Sequence, residues 1–393
     1  MTKENNRIEW IDGLKGVACL FIFFHHFFVG FLPSIYGGDS AMSHVLGDVA
    51  FSQSPLSAII NGNFLVCIFC TISGVVVSLY IFNKPDLKDL GKHMIKRYFR
   101  LMVPVFACSV LVFVFMKANL FVSEYLADIT FYRGWIQIYY NEEVNLLNLL
   151  YCSLFKVWFI GDNTYTGAFW MLTFMFWGYY LSCILGIIGM KAKKKILFFY
   201  VLLVLAFFCV NYLYACFCLG TIIAYVFKHK MGVQNNKALI GIVCVVAGLF
   251  LGGFPTGVEP DNIYKTIMFT SHETAYQLYH VMGAFLVVGG IFLLDILQRF
   301  LSAKVFLKLG SVSYCVYIIQ GFVMYAISYK IFLWLYNMNH RYLVDMAVVF
   351  GISTCLLLTL SWLFTHYIEK PAAKLTNIFL EYFFEKQDGN YRG

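Results

Sequence analysis

The sequence is poor in charge: only 13% of its 393 residues are Asp, Glu, Lys or Arg, while 61% are hydrophobic. Mean hydropathy is +0.74. Soluble globular chains average about a quarter charged residues, so that class is excluded and an integral membrane protein is expected. No short apolar region with a small-residue cleavage site opens the chain, so the first span is expected to stay in the mature protein. There is no internal repeat and no low-complexity linker. One domain over residues 1–375 is therefore expected, followed by a short cytoplasmic tail, 376–393. The twelve cysteines fall mostly inside apolar runs, where a thiol behaves as a small hydrophobe. Cys216 and Cys218 form a C-x-C pair, but no second Cys/His cluster accompanies them, so no metal is expected.

What the chain does have is long apolar runs. Ten reach, or nearly reach, the length of about 17–25 residues that a crossing helix needs: 16–33, 61–82, 101–122, 168–190, 196–211, 212–228, 237–254, 277–298, 311–336 and 343–367. The stretch 146–159 is shorter and carries Asn148 and Lys156, so it is read as interfacial. With the N-terminus placed in the cytoplasm and the loops alternating, 23 of the 29 Lys and Arg residues fall inside. That bias is the positive-inside rule, and it accounts for the net charge of +8 without nucleic acid. The expected fold is an all-α polytopic membrane protein of about ten transmembrane helices with both termini cytoplasmic. Of the two long outer loops, 34–60 and 123–167, the second is aromatic and acidic, with Trp135, Tyr139, Tyr140, Glu142, Glu143 and Asp162. That composition suits either a carbohydrate surface or an ordinary interfacial belt.

Few polar groups interrupt the spans. In "WIDGLKGVACLFIFFHHFFVGFLP" the adjacent His25 and His26 sit in mid-run. His26 follows Lys15 by eleven residues, about 16 Å along a helix and close to three whole turns, so the two share a face. His25 projects elsewhere and reads as a packed neighbour. An ionisable group inside a span is a functional candidate, and imidazole is the usual proton carrier near neutral pH. The alternative is a neutral histidine bonded to a neighbouring helix, with Lys15 snorkelling. Arg97 and Arg100 in "KHMIKRYFRLMVP" are spaced i, i+3 on one helix face. Guanidinium pairs grip phosphates, although anchoring by positive-inside charge also explains them. Ser73 and Gly74 interrupt the second span, either for close helix packing or to let a ligand pass. His272 and Glu273, before the eighth span, could orient an acceptor or act as an acid/base pair. His280, Asp295, Gln320 and His366 are further polar groups in or near spans.

Taken in order, these stretches resemble the membrane acyltransferase-3 family. "DGLKGVACLFIFFHHF" is similar to its D-G-L-R-G opening and apolar run ending in His. "VCIFCTISGVVVS" is similar to its F-F-x-x-S-G element, "KRYFR" to its R-x-x-R motif and "FWMLTFMFWGYYL" to its W-x-L element, which opens at Trp170. "YHVMGAFLVV", "LGSVSYCVYIIQ" and "HYIEKPAAKL" also correspond. The resemblance implies a ten-helix enzyme that takes an acyl group, acetyl in the first instance, from cytoplasmic acyl-CoA. It delivers that group to a hydroxyl of an extracytoplasmic or lipid-linked carbohydrate, generally at the outer face. It places the catalytic function on His26 and donor binding on Lys15, Arg97, Arg100, Ser73 and Gly74. His272, Glu273 and Trp170 are separate candidates for the acceptor side, apart from what the resemblance implies. Lys15 stands where the family has Arg, Met175 where many members have Glu, and Gln320 where many have His. The lipid bilayer is the surrounding partner, a homo-oligomer stays open, and the expected location is a bacterial cytoplasmic membrane. The competing readings are an exporter of a lipid-linked sugar and a catalytically inactive relative. An exporter would show internal repeats and helices broken at the midplane.

Overall fold

A computed structural model describes residues 8–83, 87–121, 124–131, 140, 142–190, 195–231 and 235–390, without the side chains of 87–89, 124–125, 339 and 383–390. Trp135, Tyr139 and the cations Lys3, Arg7, Lys84, Lys191, Lys193, Lys194 and Arg392 lie outside the described residues or side chains. Of the described residues 84% are helical, and none lies in a strand. The long helices are α1 (Glu9–Phe31), α2 (Gly62–Asn83), α3 (Leu87–Lys117), α4 (Trp170–Met190), α5 (Ile196–Val210), α6 (Tyr212–Lys228), α7 (Lys237–Gly252) and α8 (His272–Leu293). Then α9 (Lys304–Phe322) runs through a π-helical turn, Val323–Ser328, into α10 (Tyr329–Asn339). Likewise α11 (Tyr342–Phe364) runs through Thr365–Glu369 into α12 (Lys370–Asn390).

Seven of these segments are long and apolar enough to cross a membrane: Glu9–Phe31, Gly62–Asn83, Leu90–Lys117, Gly167–Met190, His272–Leu293, Lys304–Met338 and Tyr342–Tyr382. Each of the ten apolar runs read from the sequence overlaps helical structure, although 277–298 crosses a break at Leu294 and 101–122 runs beyond the end of α3 at Lys117. Those at 196–211, 212–228 and 237–254 became the shorter α5, α6 and α7, of 15, 17 and 16 residues. The interfacial stretch is also a short apolar helix, Leu146–Phe159.

By contacts the chain forms two compact units, each assembled from separate segments. The first comprises Met1–Lys84, Ala127–Ile136 and Trp177–Ser313, and the second Pro85–Leu126, Gln137–Phe176 and Tyr314–Gly393.

In the first unit the helices approach closely because side chains are missing where they cross. A Cβ on Gly74 of α2 would lie 2.4 Å from the Phe217 carbonyl oxygen of α6, and one on Gly220 of α6 would lie 2.2 Å from the Thr71 carbonyl oxygen of α2. A second glycine seam joins α7 and α8, where Gly248 and Gly283 each face the other's carbonyl at 2.7 Å. Membrane helices have little hydrophobic drive to associate, so such backbone approach supplies dispersion contact in its place.

The segment between α1 and α2 is organised by one acid. The Asp48 carboxylate, 3% exposed, accepts from Ser34 Oγ at 2.6 Å and Ser43 Oγ at 2.8 Å. It also accepts from the amides of Val49 at 2.7 Å and His44 at 3.2 Å. Burial raises its pKa, but these hydrogen bonds outweigh that and hold it below the ordinary carboxylate value.

In the second unit α3 carries Pro104 within an unbroken helix. Tyrosine hydroxyls tie its neighbours together through backbone carbonyls: Tyr98 to Leu154 at 2.5 Å, Tyr314 to Leu101 at 2.7 Å and Tyr317 to Ala168 at 2.6 Å.

Candidate active site

α1 forms because an apolar run with acidic residues in its first turn, Glu9 and Asp12, suits a helix N-terminus. It stops at Leu32, ahead of Pro33, which disfavours a helical residue before it. The helix is continuous from Glu9 to Phe31, so the register read from the sequence holds. Lys15 and His26 lie on one face, about 16 Å apart along the axis. Both are partly buried, and the rings of His25 and His26 are 5.3 Å apart.

His25 is more than a packed neighbour. Its Nδ1 stands 2.9 Å from the Ile60 carbonyl oxygen, and its ring meets Tyr36 edge-on at 5.4 Å. It occupies the space left by Gly62, where a Cβ would come within 2.3 Å of the imidazole Cδ2. A small cavity of about 20 Å³ lies beside it, lined among others by His25, Tyr36, Ser52, Ser57, Asn61 and Thr256.

Gly62 is flanked by two amides that turn toward His280 of α8. His280 is fully buried. Its Nδ1 is 2.8 Å from Asn63 Oδ1, and its Nε2 is 3.0 Å from the Phe254 carbonyl oxygen and 3.4 Å from Asn61 Nδ2. Asn63 continues to the Tyr212 hydroxyl at 2.5 Å. Asn61 donates to the Phe254 carbonyl at 3.2 Å, and its Oδ1 accepts from Thr256 Oγ1 at 3.2 Å and the Phe64 amide at 3.3 Å. Buried polar groups must be satisfied inside a bilayer, and this network does so for both asparagines and the histidine. Both ring nitrogens of His280 are engaged by the protein, which assigns it to bracing α2 against α8.

Ser73 donates to the Phe69 carbonyl of its own helix at 2.8 Å, and Gly74 packs against α6, as the close-packing alternative expects. His272 uses Nε2 on the Pro255 carbonyl at 2.9 Å. Glu273 accepts from Gln277 at 3.3 Å, so the structure gives each its own partner and no bond between the two.

In the second unit Arg97 and Arg100 lie one turn apart on α3. Arg100 is exposed and Arg97 partly buried. Arg100 Nη2 is 3.5 Å from Glu369 Oε1. Glu369, 8% exposed, ends the π-helical turn before α12, and its Oε2 accepts from Cys315 Sγ at 3.6 Å. Trp170 begins α4 and packs edge-on to Phe174 at 5.9 Å. The sequence reading missed Glu369 as Arg100's partner, although it lies within "HYIEKPAAKL". Among the described residues no group of three or more His, Cys, Asp or Glu is placed to hold a metal.

A chain of seven apolar crossing helices is a multi-pass membrane protein. An acyltransferase-3 family model, described as an acyltransferase domain, matches residues 8–366, and the chain belongs to that family. No curated protein and no solved structure matches it.

Proposed function

We propose that the protein is an O-acyltransferase of the bacterial cytoplasmic membrane, moving an acyl group, acetyl in the first instance, from cytoplasmic acyl-CoA to a hydroxyl of a carbohydrate or glycolipid. The family match over nearly the whole chain carries this reading. On it, residues 1–375 work as one domain of ten spans with both termini cytoplasmic, and 376–393 form the tail. Arg97 and Arg100 bind the anionic end of the donor, which planar guanidinium groups suit. Lys15 adds a cation on α1, and Ser73 and Gly74 border the path of the pantetheine arm. His272, Glu273 and Trp170 serve the acceptor.

His26 carries the chemistry. In direct transfer its imidazole takes the hydroxyl proton while the acceptor oxygen attacks the thioester, and that proton then goes to the departing thiolate. In two-step transfer the imidazole first takes the acyl group, releasing the thiol, and passes it to the hydroxyl. The face shared by Lys15 and His26 along an unbroken α1 supports placing both on the donor's course.

The test supplies labelled acetyl-CoA to membrane vesicles and counts label in carbohydrate fractions. Wild type is expected to transfer label and His26→Ala to lose about a hundredfold or more, the usual worth of a general base. Full activity of His26→Ala would remove the site assignment, and absence of any transfer by wild type would remove the enzyme reading.

A further inference from the structure

The cavity beside His25 sets a few polar groups among the apolar Phe28, Val29, Ile35 and Pro255. Three of its hydroxyls have already committed their hydrogens: Ser52 to the Val49 carbonyl at 2.7 Å, Ser57 to the Gly253 carbonyl at 3.0 Å and Thr256 to Asn61 Oδ1 at 3.2 Å. Asn61 is itself fully engaged by Phe254, His280, Phe64 and Thr256. Each of these three hydroxyls therefore has only lone pairs left to offer. The Ile60 carbonyl can only accept, so His25 Nδ1 is the donor in that bond, and in the neutral ring Nε2 carries the lone pair. No described residue bonds that nitrogen. No Lys, Arg, Asp or Glu lines the cavity.

A few acceptors in an apolar lining without a fixed charge select a ligand that donates hydrogen bonds and is neutral. A carboxylate or phosphate would find no cation among the described lining and only lone pairs on Ser52, Ser57, Thr256 and His25, and would pay for its desolvation. The volume of about 20 Å³ holds roughly one water-sized group, enough for a hydroxyl or hydroxymethyl but not a sugar ring. Tyr36 also lines the cavity, an aromatic residue of the kind sugars pack against.

We propose that this cavity is a hydroxyl-recognition subsite, in which His25 Nε2 accepts a hydrogen bond from one hydroxyl of a neutral sugar or polyol while the ring lies outside. Naming that ligand as the acyl acceptor rests on the acyltransferase reading. The binding itself does not. His25 is then an acceptor-binding residue beside His26 rather than a duplicate of it, and the Asn61–His280 bracket fixes the cavity wall.

The experiment uses the full chain in lipid nanodiscs and saturation-transfer NMR. The neutral probes are methyl glucoside, methyl galactoside, methyl mannoside and glycerol, with methyl glucuronide as the charged probe. At least one neutral probe is expected to bind, with the glucuronide about tenfold weaker or worse. His25→Phe, which keeps a ring against Gly62, and Thr256→Val, which keeps the rim's shape, are each expected to weaken binding about fivefold to tenfold, the worth of one hydrogen bond at a shielded site. Thr256→Val carries the test if His25→Phe does not fold. Failure of every neutral probe, equal binding of the glucuronide, or wild-type affinity in the folded variants would overturn the proposal. Acetyl-CoA labelling run in parallel keeps the two ideas apart. No transfer alongside intact, variant-sensitive binding sinks the acyltransferase reading alone. Intact transfer alongside variant-insensitive binding sinks the subsite alone.

Discussion

Arg100 Nη2 and Glu369 Oε1 stand 3.5 Å apart, joining α3 to the turn that leads into α12. Glu369 is the more buried partner, at 11% side-chain exposure against 51% for Arg100. A pair so open to solvent on one side contributes at most about 1 kcal/mol to stability, so its weight falls on function. On the proposed function, an anionic donor bound at Arg100 would compete with Glu369 for the same guanidinium. Glu369→Gln is expected to lower the KM for acetyl-CoA by about twofold to fivefold with little change in melting temperature, on the scale of an exposed ion pair. Arg100→Ala is expected to raise KM about tenfold or more, as loss of a charge-assisted bond does. Steady-state kinetics at two salt concentrations check both, and equal KM values across the three proteins would contradict the assignment.

Lys15 carries the charge that the family's arginine carries, without the planar fork. Lys15→Arg is expected to keep or improve donor affinity, and Lys15→Ala to raise KM with kcat less affected. A fall in kcat alone for Lys15→Ala would move Lys15 from donor binding to the chemical step.

The glycine crossings predict opposite outcomes for one kind of change. Gly220→Ala forces a methyl to 2.2 Å from the Thr71 carbonyl oxygen, and overpacking of this kind costs about 1–3 kcal/mol or more. Gly351→Ala on α11 meets nothing within 4 Å and gains helix propensity of about 1 kcal/mol at most. Thermal unfolding in detergent should show a clear drop for the first and a small rise or no change for the second.

Asp48 sets a pH window for the segment between α1 and α2. Its pKa is lower folded than unfolded. The stabilisation is therefore complete above the unfolded value of about 3.9 and is lost as pH falls through the folded value. Hydrogen exchange over residues 34–52 should be equally protected at pH 7 and pH 5.5 and should open below about pH 4. Asp48→Ala should open it at every pH. Uniform protection down to pH 2 would contradict the linkage.

The helices were legible because each apolar run announces itself locally, and the Lys15–His26 register needed only an unbroken α1. The cavity and the brackets were not legible, because their partners are distant in sequence and meet only through packing. Glu369 lies 269 residues from Arg100, and His280 lies 217 from Asn63. A signal for the second existed in "NGN" at 61–63, two amides around a glycine at the mouth of an apolar run. The tripeptide admits His25 at Gly62 and sends both amides to His280. Reading His25 as the packed neighbour was half the answer, since it does pack on Gly62, but it also fronts the cavity. Gly74 shows the converse, for its place allows a ligand path while its contact is a helix crossing, and Ser73 bonds back to its own helix.

The short helices of the first unit carry a mechanical consequence. At 15, 17 and 16 residues, α5, α6 and α7 rise only about 22–26 Å, while an average hydrocarbon core is about 30 Å thick. As crossing elements they would pull the two leaflets together locally, each ångström of misfit costing a fraction of a kcal/mol. The enzyme would then carry its own dimple in the bilayer, and a thinner membrane would shorten the distance between a donor on one side and an acceptor on the other.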